Sequence, residues 1–326
     1  MSIERSMSSK ATWAVTWQIQ DSYSVNESNS LVGIVASYAM IIIFTAGAFG
    51  NIISLVIFRL VGRKNDATVT YLTCLAFSDL FCIFFVGFPL WLLSGMWYIT
   101  SGKLTINVYL ISELVCKIGT YFYVLFQTTS AWLIVIFSIE KAIVVWFPLK
   151  RLSVTQRRRK IVIVTVMLGC ALAGIHSGIL SGLLVLGDTV VCYYPDTGLG
   201  ATFLLIYDSC LYYFLPCFTI ILANTAILVG IVKSKQFNQA ASAKDVKERK
   251  TLVNLFMVSA MYVVFMTPSS VMLIYVFDNP AETYQFIMDL LEVSYFISYL
   301  NYCFNFAVYG FSLPWYRQEL RKIFCV

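Results

Sequence analysis

A single carboxylate stands in the middle of a long apolar stretch of this chain. Asp79 is the only charged residue between Asp66 and Lys103. Because a charge inside a membrane is costly, such a residue has a functional role by default and needs polar partners. The candidate partners come from other apolar stretches: Asn51, Ser130, Asn301 and Asn305. Such a group can hold a sodium ion or a proton-linked network; the alternative is a neutral Asp79 that is hydrogen-bonded to an asparagine.

Two further titratable residues lie in later apolar stretches. Asp208 comes shortly before Pro216 and is a candidate for ligand contact or, almost equally, for contact with lipid headgroups. His176 is the only histidine, and we expect a hydrogen-bonded packing residue there. A single histidine also argues against a zinc hydrolase, which needs several ligands.

These side chains are positioned by seven apolar segments, each long enough to cross a bilayer as a helix. The segments cover approximately residues 32–60, 68–96, 112–146, 160–184, 201–232, 249–277 and 285–310. Only 12% of the residues are charged and the mean hydropathy is +0.78, whereas a soluble domain has about 25% charged residues. We therefore predict an all-α membrane protein with a seven-transmembrane bundle over residues 32–310. No Ser/His, paired-Asp or metal-site pattern suggests an enzyme, and we expect no cofactor.

The basic residues predict the orientation in the bilayer. Of the 23 Lys and Arg residues, only Arg5, Lys10, Lys103 and Lys117 fall on the same side of the bundle as the N-terminus. The loops on the other side carry the remaining bases and should therefore face the cytoplasm, which makes the N-terminus extracellular. Because the bases lie in short loops and form no surface stripe, we expect no nucleic-acid partner.

The two ends of the chain differ from the bundle. Residues 1–31 are predicted to be a polar extracellular tail without a cleaved signal peptide, and Asn26 begins a glycosylation sequon. Residues 311–326 are predicted to form an amphipathic helix on the cytoplasmic membrane surface. Cys325 beside it is either a palmitoylation site or a free thiol.

Prolines inside three segments predict kinks that open a cavity near the extracellular side. The polar and aromatic residues at that depth are candidate ligand contacts: Tyr123, Gln127, Ser269, Tyr295 and Tyr299. Alternatively, they are polar contacts between helices. The mouth of this cavity carries more acids than bases, among them Asp208, Asp289 and Glu292. The resulting negative field favours a cationic ligand, although a solvated acidic rim is a competing interpretation.

Taken in order, these motifs resemble the rhodopsin-like G-protein-coupled receptors over residues 32–326. The matching residues are Gly50-Asn51, Leu75-Ala76-Phe77-Ser78-Asp79, Trp97, Cys116, Cys192, Pro216, Pro268, Asn305-Phe306-Ala307-Val308-Tyr309 and Tyr316-Arg317. The resemblance implies a plasma-membrane receptor that binds an extracellular ligand and activates a heterotrimeric G protein. It also implies a disulfide between Cys116 and Cys192.

The resemblance assigns coupling and switching roles as well. Glu140-Lys141-Ala142 stands where the family carries D-R-Y, and lysine keeps the charge but loses the planar fork of arginine. Glu248 is placed to pair with Lys141 in a resting state, and Asn224 stands where a tyrosine is usual. Tyr309 ends the motif of the seventh segment, and Met266 replaces the tryptophan of C-W-x-P.

Two residues that differ from the family's usual ones argue against particular classes of ligand. Tyr123 stands where amine receptors carry an aspartate, and Tyr299 stands where visual pigments carry the retinal lysine. The pattern from Asn301 to Tyr309 is similar to invertebrate receptors of the FMRFamide and myosuppressin type, whose peptides would suit an acidic mouth. We therefore expect a receptor for a small cationic neuropeptide. The alternatives are a receptor-fold protein that no longer signals and, less favoured, a transporter.

Overall fold

A computed structural model describes residues 31–60, 67–147, 155–186, 189–193, 199–233, 243–278 and 285–324. Seven helical rods pack into a bundle, and an eighth helix follows them, which confirms the predicted fold class. Their segments are α1 (Leu31–Leu60), α2 (Ala67–Cys82, Ile83–Gly87, Phe88–Leu90, Trp91–Gly95 and Met96–Ile99), α3 (Glu113–Trp146), α4 (Gln156–Ala173 and Ile175–Leu180), α5 (Leu199–Ser209, Cys210–Phe214 and Leu215–Lys233), α6 (Ala243–Asp278), α7 (Gln285–Cys303 and Asn305–Ser312) and α8 (Pro314–Phe324). By length and composition, α1 to α6 can each cross a membrane.

The central rod is α3, which packs against α2, α4, α5 and α6. It begins at Glu113 because the Ser112 hydroxyl accepts a hydrogen bond from the Val115 amide, 3.2 Å away. That cap satisfies one of the amides that a helix start leaves without an intrahelical partner. Below, "the disulfide end" of the bundle is the end where α3 starts, and "the Glu140 end" is the end where α3 finishes.

Two of the three prolines sit beside π-helical turns. The turns Ile83–Gly87 and Trp91–Gly95 flank Pro89 in α2, and the turn Cys210–Phe214 precedes Pro216 in α5. A proline removes one backbone donor, and a π turn shifts the hydrogen-bond ladder by one residue. Pro268, in contrast, lies within one uninterrupted helix. The irregular backbone of α2 and α5 therefore lies toward the disulfide end.

The fourth segment ends earlier than predicted. Residues 160–184 were expected to be one helix, but α4 spans 156–180 and is followed by an antiparallel hairpin of β1 (Gly182–Leu186) and β2 (Thr189–Tyr193). The apolar run continues through both elements, so hydrophobicity alone does not mark the change. In the hairpin register Leu183 lies opposite Cys192, which brings Cys192 back over the start of α3.

The turn from α7 into α8 is held by side chains. Arg317 Nη1 donates to the backbone oxygens of Gly310, at 2.9 Å, and Phe311, at 2.6 Å. These carbonyls end α7, where a positive charge is favourable. The Tyr316 and Ser54 hydroxyls are 2.7 Å apart, which anchors α8 to α1. The predicted amphipathic helix is thus present, while Cys325 lies outside the described residues.

Candidate functional site

The Asp79 carboxylate lies at a meeting point of helices α2, α3 and α7. Both of its oxygens accept hydrogen bonds of 2.6 Å, one from the Ser130 hydroxyl and one from the Asn305 amide nitrogen. All three side chains are fully buried. The structure therefore brings together Asp79, Ser130 and Asn305, which are three of the five residues that the sequence placed in one group.

The other two members of the group, Asn51 and Asn301, are also fully buried. Asn51 donates to the backbone oxygen of Tyr302 at 2.9 Å, which ties α1 to α7. Among the described residues, Asn51 Oδ1, Asn305 Oδ1 and both amide atoms of Asn301 have no hydrogen-bond partner. Buried polar atoms of this kind usually bond to ordered water or an ion.

The donor set around Asp79 fits a small hard cation. It offers a carboxylate, a hydroxyl and amide oxygens, the oxygen ligands that such ions prefer. Within the described ranges there is no cluster of three or more His, Cys, Asp or Glu residues, so a transition-metal site has no support there.

Toward the disulfide end lie the predicted ligand-contact residues. The side chains of Gln127, Ser269, Tyr295 and Tyr299 are buried, and Tyr123 is partly buried. The Ser269 hydroxyl donates to the Met266 backbone oxygen of its own helix, at 3.0 Å. Tyr299 packs edge-on against Phe44 of α1, with the ring centres 5.7 Å apart. Ser269 and Tyr299 therefore have packing roles in this conformation, in line with the alternative that the sequence left open.

Gln127 differs from Ser269 and Tyr299 in having a polar atom that is not satisfied. It is buried, and no described residue hydrogen-bonds to its Oε1 atom. A buried amide oxygen without a partner costs free energy of about 1–3 kcal/mol. Gln127 is thus a candidate contact with hydrogen-bonding capacity left for a ligand or water.

Asp208 makes a contact that the sequence did not reveal. Its Oδ1 atom lies 3.1 Å from Nε2 of His176, which joins α5 to α4. The other ring nitrogen, Nδ1, is 2.9 Å from the Ala173 backbone oxygen, and the ring meets Tyr207 edge-on. His176 is therefore the hydrogen-bonded packing residue we expected, and it lies beside the acid that was a candidate ligand contact.

The remaining described acids of the mouth divide into two groups. Glu113 forms an ion pair with Lys117, 2.8 Å away on the same helix. Asp289 and Glu292 of α7 instead face α2, where they accept long hydrogen bonds of 3.5 Å from Tyr98 and Ser94, respectively. Glu292 is partly buried, and among the described residues it forms no ion pair. Glu292 is therefore a candidate partner for a cationic ligand.

At the Glu140 end, a buried polar network connects three helices. The Glu140 carboxylate accepts hydrogen bonds of 3.0–3.1 Å from Nε and Nη2 of Arg159 in α4, and one of 2.8 Å from the Tyr71 hydroxyl in α2. Arg159 also donates to Gln156, which in turn donates to Thr70. The side chains of Glu140 and Arg159 are only 12% and 8% exposed. Sequence reasoning missed Arg159, because nothing in the spacing distinguishes it from its basic neighbours.

The other coupling candidates are less tightly held. Lys141 places its ammonium group 5.4 Å from the ring centre of Phe137, a cation–π contact. Asn224 Oδ1 and the fully buried Tyr309 hydroxyl have no hydrogen-bond partner in the described part of the chain. The side chain of Glu248 lies outside the described residues, as does the sequon at Asn26, so the predicted pair with Lys141 stays a prediction.

One contact between α6 and α7 was also missed. The Ser312 hydroxyl donates to Oδ1 of the buried Asn254 at 2.7 Å. The predicted disulfide, in contrast, is confirmed: Cys116 and Cys192 are bonded, with their Cα atoms 5.6 Å apart. It ties the hairpin to the start of α3.

Comparison with known proteins agrees with this architecture. Residues 50–309 match the model of the 7 transmembrane receptor (rhodopsin family). The chain belongs to the rhodopsin family of seven-transmembrane receptors. It is accordingly a multi-pass plasma-membrane receptor and not an enzyme, which confirms both predictions and argues against the transporter alternative.

Two relatives are receptors named for somatostatin and for gonadotropin-releasing hormone. The chain is 25% identical to somatostatin receptor type 5 of Rattus norvegicus over 95% of its own length and 86% of the relative's. It is 23% identical to the gonadotropin-releasing hormone II receptor of Clarias gariepinus, over 88% of its own length and 78% of the relative's. Neither bears on the finer resemblance to FMRFamide and myosuppressin receptors, which stays a prediction.

Proposed function

We propose that this receptor binds a small cationic peptide at the disulfide end and transmits that binding to a heterotrimeric G protein at the Glu140 end. The observation that carries the ligand class is Glu292, a partly buried carboxylate that forms no ion pair with any described residue. A buried charge normally has a partner, and a ligand ammonium or guanidinium group supplies one. The relatives, a somatostatin receptor and a gonadotropin-releasing hormone receptor, support a ligand of the same kind.

The orientation follows from the basic loops. The Glu140 end carries most Lys and Arg residues and faces the cytoplasm. The N-terminal residues 1–31 then lie outside the cell, where Asn26 is available for glycosylation. At the cytoplasmic end, Lys141, Asn224 and Tyr309 are the side chains that meet the G protein or respond to it, and Glu248 is the proposed resting partner of Lys141.

Asp79 and its neighbours form the element that changes state between the two ends. A sodium ion bound by Asp79 and Ser130 would stabilise the resting arrangement of α2, α3 and α7. Agonist binding then shifts the population toward a state with a different packing of α6 and α7. Asn301 and Asn305 have amide atoms without a partner in the described part of the chain, and these atoms can form hydrogen bonds in that rearrangement.

The test is to express the full chain in cells and record G-protein activation over a panel of amidated peptides with and without Arg or Lys. The proposal predicts that only cationic peptides activate, at nanomolar concentrations, and that Glu292→Gln weakens them. Activation by neutral or anionic peptides with equal potency would contradict the ligand class.

A second candidate, a receptor-fold protein without signalling, is supported by Lys141 and Met266 at the motif positions. High-affinity binding of labelled peptide, without nucleotide exchange on any G protein, would favour this candidate over the proposed function.

A further inference from the structure

The segment between α2 and α3 is longer than a simple connection needs, and most of its amide groups have acceptors within the protein. Residues 100–111 carry twelve amide groups, of which at least nine donate to such acceptors. The donors include Thr100, Ser101, Gly102, Lys103 and Leu104 in the first turn and Ile106, Tyr109, Leu110 and Ile111 farther on. An amide in water can donate to solvent, whereas an amide at a membrane boundary needs an acceptor from the protein.

The segment folds back along α2 and docks on its π-helical turns. The Ile106 amide donates to the Leu92 backbone oxygen at 3.0 Å, and the Thr105 hydroxyl donates to that of Leu93 at 2.8 Å. Both acceptors belong to the turn Trp91–Gly95. A π turn shifts the hydrogen-bond ladder, and such turns often mark specialised positions in a helix.

Tyr109 fastens the segment more deeply. Its hydroxyl donates to the Phe85 backbone oxygen, in the other π turn of α2. Its ring lies against Gly119 of α3, where a Cβ atom would come within 2.2 Å of the ring. Burial raises the pKa of the Tyr109 phenol, so that it stays a neutral donor. Phe85 precedes the end of α2 at Ile99 by fourteen residues, or about 21 Å of helix. The Tyr109 hydroxyl therefore lies well inside the bundle, away from its disulfide end.

The opposite side of the segment is apolar and exposed. Leu104 is 45%, Ile106 41% and Ile111 73% exposed. Leu114 and Ile118, one turn apart on α3, continue the same surface at 66% and 44%. A connection in water rarely exposes this many adjacent aliphatic side chains, while the lipid-facing sides of transmembrane helices normally do.

We propose that residues 104–111 form an interfacial loop that lies in the lipid leaflet on the disulfide side, with Leu104, Ile106 and Ile111 in contact with lipid. The surface is continuous with the lipid-facing side of α3 through Leu114 and Ile118. Because most amides of residues 100–111 donate within the protein, few backbone donors would lack an acceptor at that depth.

The test uses the full-length receptor in lipid nanodiscs with a nitroxide label on Ile111→Cys. Ser101→Cys is the matched control, because Ser101 is exposed at the tip of the turn, with φ of 53°. The wild-type chain taken through the same labelling gives the background from native cysteines. Accessibility to oxygen, which concentrates in lipid, is compared with accessibility to a water-soluble nickel chelate.

The proposal predicts that the oxygen-to-nickel ratio at position 111 is several-fold higher than at position 101. Equal ratios would place the loop in water and overturn the proposal. Protection of position 111 from both reagents would also overturn it, because a protein partner or a second copy would then cover the loop. A second variant pair, Leu104→Cys and Lys103→Cys, repeats the comparison if Ile111→Cys fails to reach the membrane.

Discussion

The carboxylates of Glu140 and Asp79 are both in the interior of the bundle, but their surroundings differ in kind. Glu140 receives hydrogen bonds from Arg159 and from Tyr71, and the chain of donors continues through Gln156 to Thr70. Asp79 receives two hydrogen bonds, while Asn51, Asn301 and Asn305 keep amide atoms without partners among the described residues.

The difference indicates which helices are fixed and which respond. A saturated buried ion pair is costly to break, because separation leaves a charge without a partner. The Glu140 network therefore holds α2, α3 and α4 together as a scaffold. Asn301 and Asn305 of α7 keep buried amide atoms that can take up new hydrogen bonds when the packing changes, so α7 and the adjoining α6 are the part that we expect to rearrange.

The largest effect is expected from removing the buried base of the scaffold. Arg159→Met should destabilise the receptor by about 3 kcal/mol, because the Glu140 carboxylate then stays buried without its cation. Thermal unfolding in detergent micelles measures the change. Arg157→Met, at an exposed position on the same helix, is the control. Equal unfolding temperatures for the two variants would show that the Glu140 network does not act as a scaffold.

A third carboxylate extends the comparison to the disulfide end. Glu292→Gln should weaken binding of a cationic peptide roughly tenfold, equivalent to about 1.4 kcal/mol, because its carboxylate forms no ion pair among the described residues and can pair with the ligand. Asp208→Asn should affect stability more than affinity, since Asp208 is paired with His176. Radioligand binding at low and high salt separates these effects. A larger affinity loss for Asp208→Asn would reverse our assignment of the two acids.

Much of this architecture was accessible from the sequence, because long apolar segments and mid-membrane polar residues are visible without a structure. The helices and the grouping of Asp79 with Ser130 and Asn305 follow from such signals. The hairpin after α4 did not, because Gly182–Leu186 continues the apolar run of the helix. The pairs Glu140–Arg159 and His176–Asp208 were missed because helix rotation decides which polar side chain meets which, and one sequence does not specify rotation. Tyr109 was overlooked because its contact depends on how the segment between α2 and α3 folds back on α2. Trp97, one of the residues that carried the family resemblance, lies in the last turn of α2.

The contact between Ser312 of α7 and Asn254 of α6 provides a test in the part of the bundle that we expect to rearrange. Ser312→Ala removes the hydrogen bond to Asn254, and such a bond contributes about 1 kcal/mol. Basal nucleotide exchange should rise up to about fivefold if the bond favours the resting state. Ser270→Ala is the control, because that hydroxyl bonds within its own helix to Met266. Unchanged basal exchange for Ser312→Ala would mean that this contact does not restrain α6.

The smallest effect on stability is expected at Asp79. Asp79→Asn keeps the shape of the side chain, so the free energy of unfolding should change by less than about 1 kcal/mol. Agonist affinity should, however, lose its dependence on sodium. Binding curves in sodium and in choline chloride, for wild type and variant, measure this. A wild-type receptor that shows no difference between the two salts would argue for the alternative, a neutral Asp79 bonded to asparagine.

The most direct test of the contrast between the two regions is a pair of double-mutant cycles, measured by unfolding in the same detergent. One cycle combines Glu140→Gln with Arg159→Met, and the other combines Asp79→Asn with Asn305→Ala. We predict a coupling free energy of about 2 kcal/mol or more in the first cycle and below about 1 kcal/mol in the second. Equal couplings, or a larger one between Asp79 and Asn305, would contradict the division into a fixed scaffold and a responsive α7.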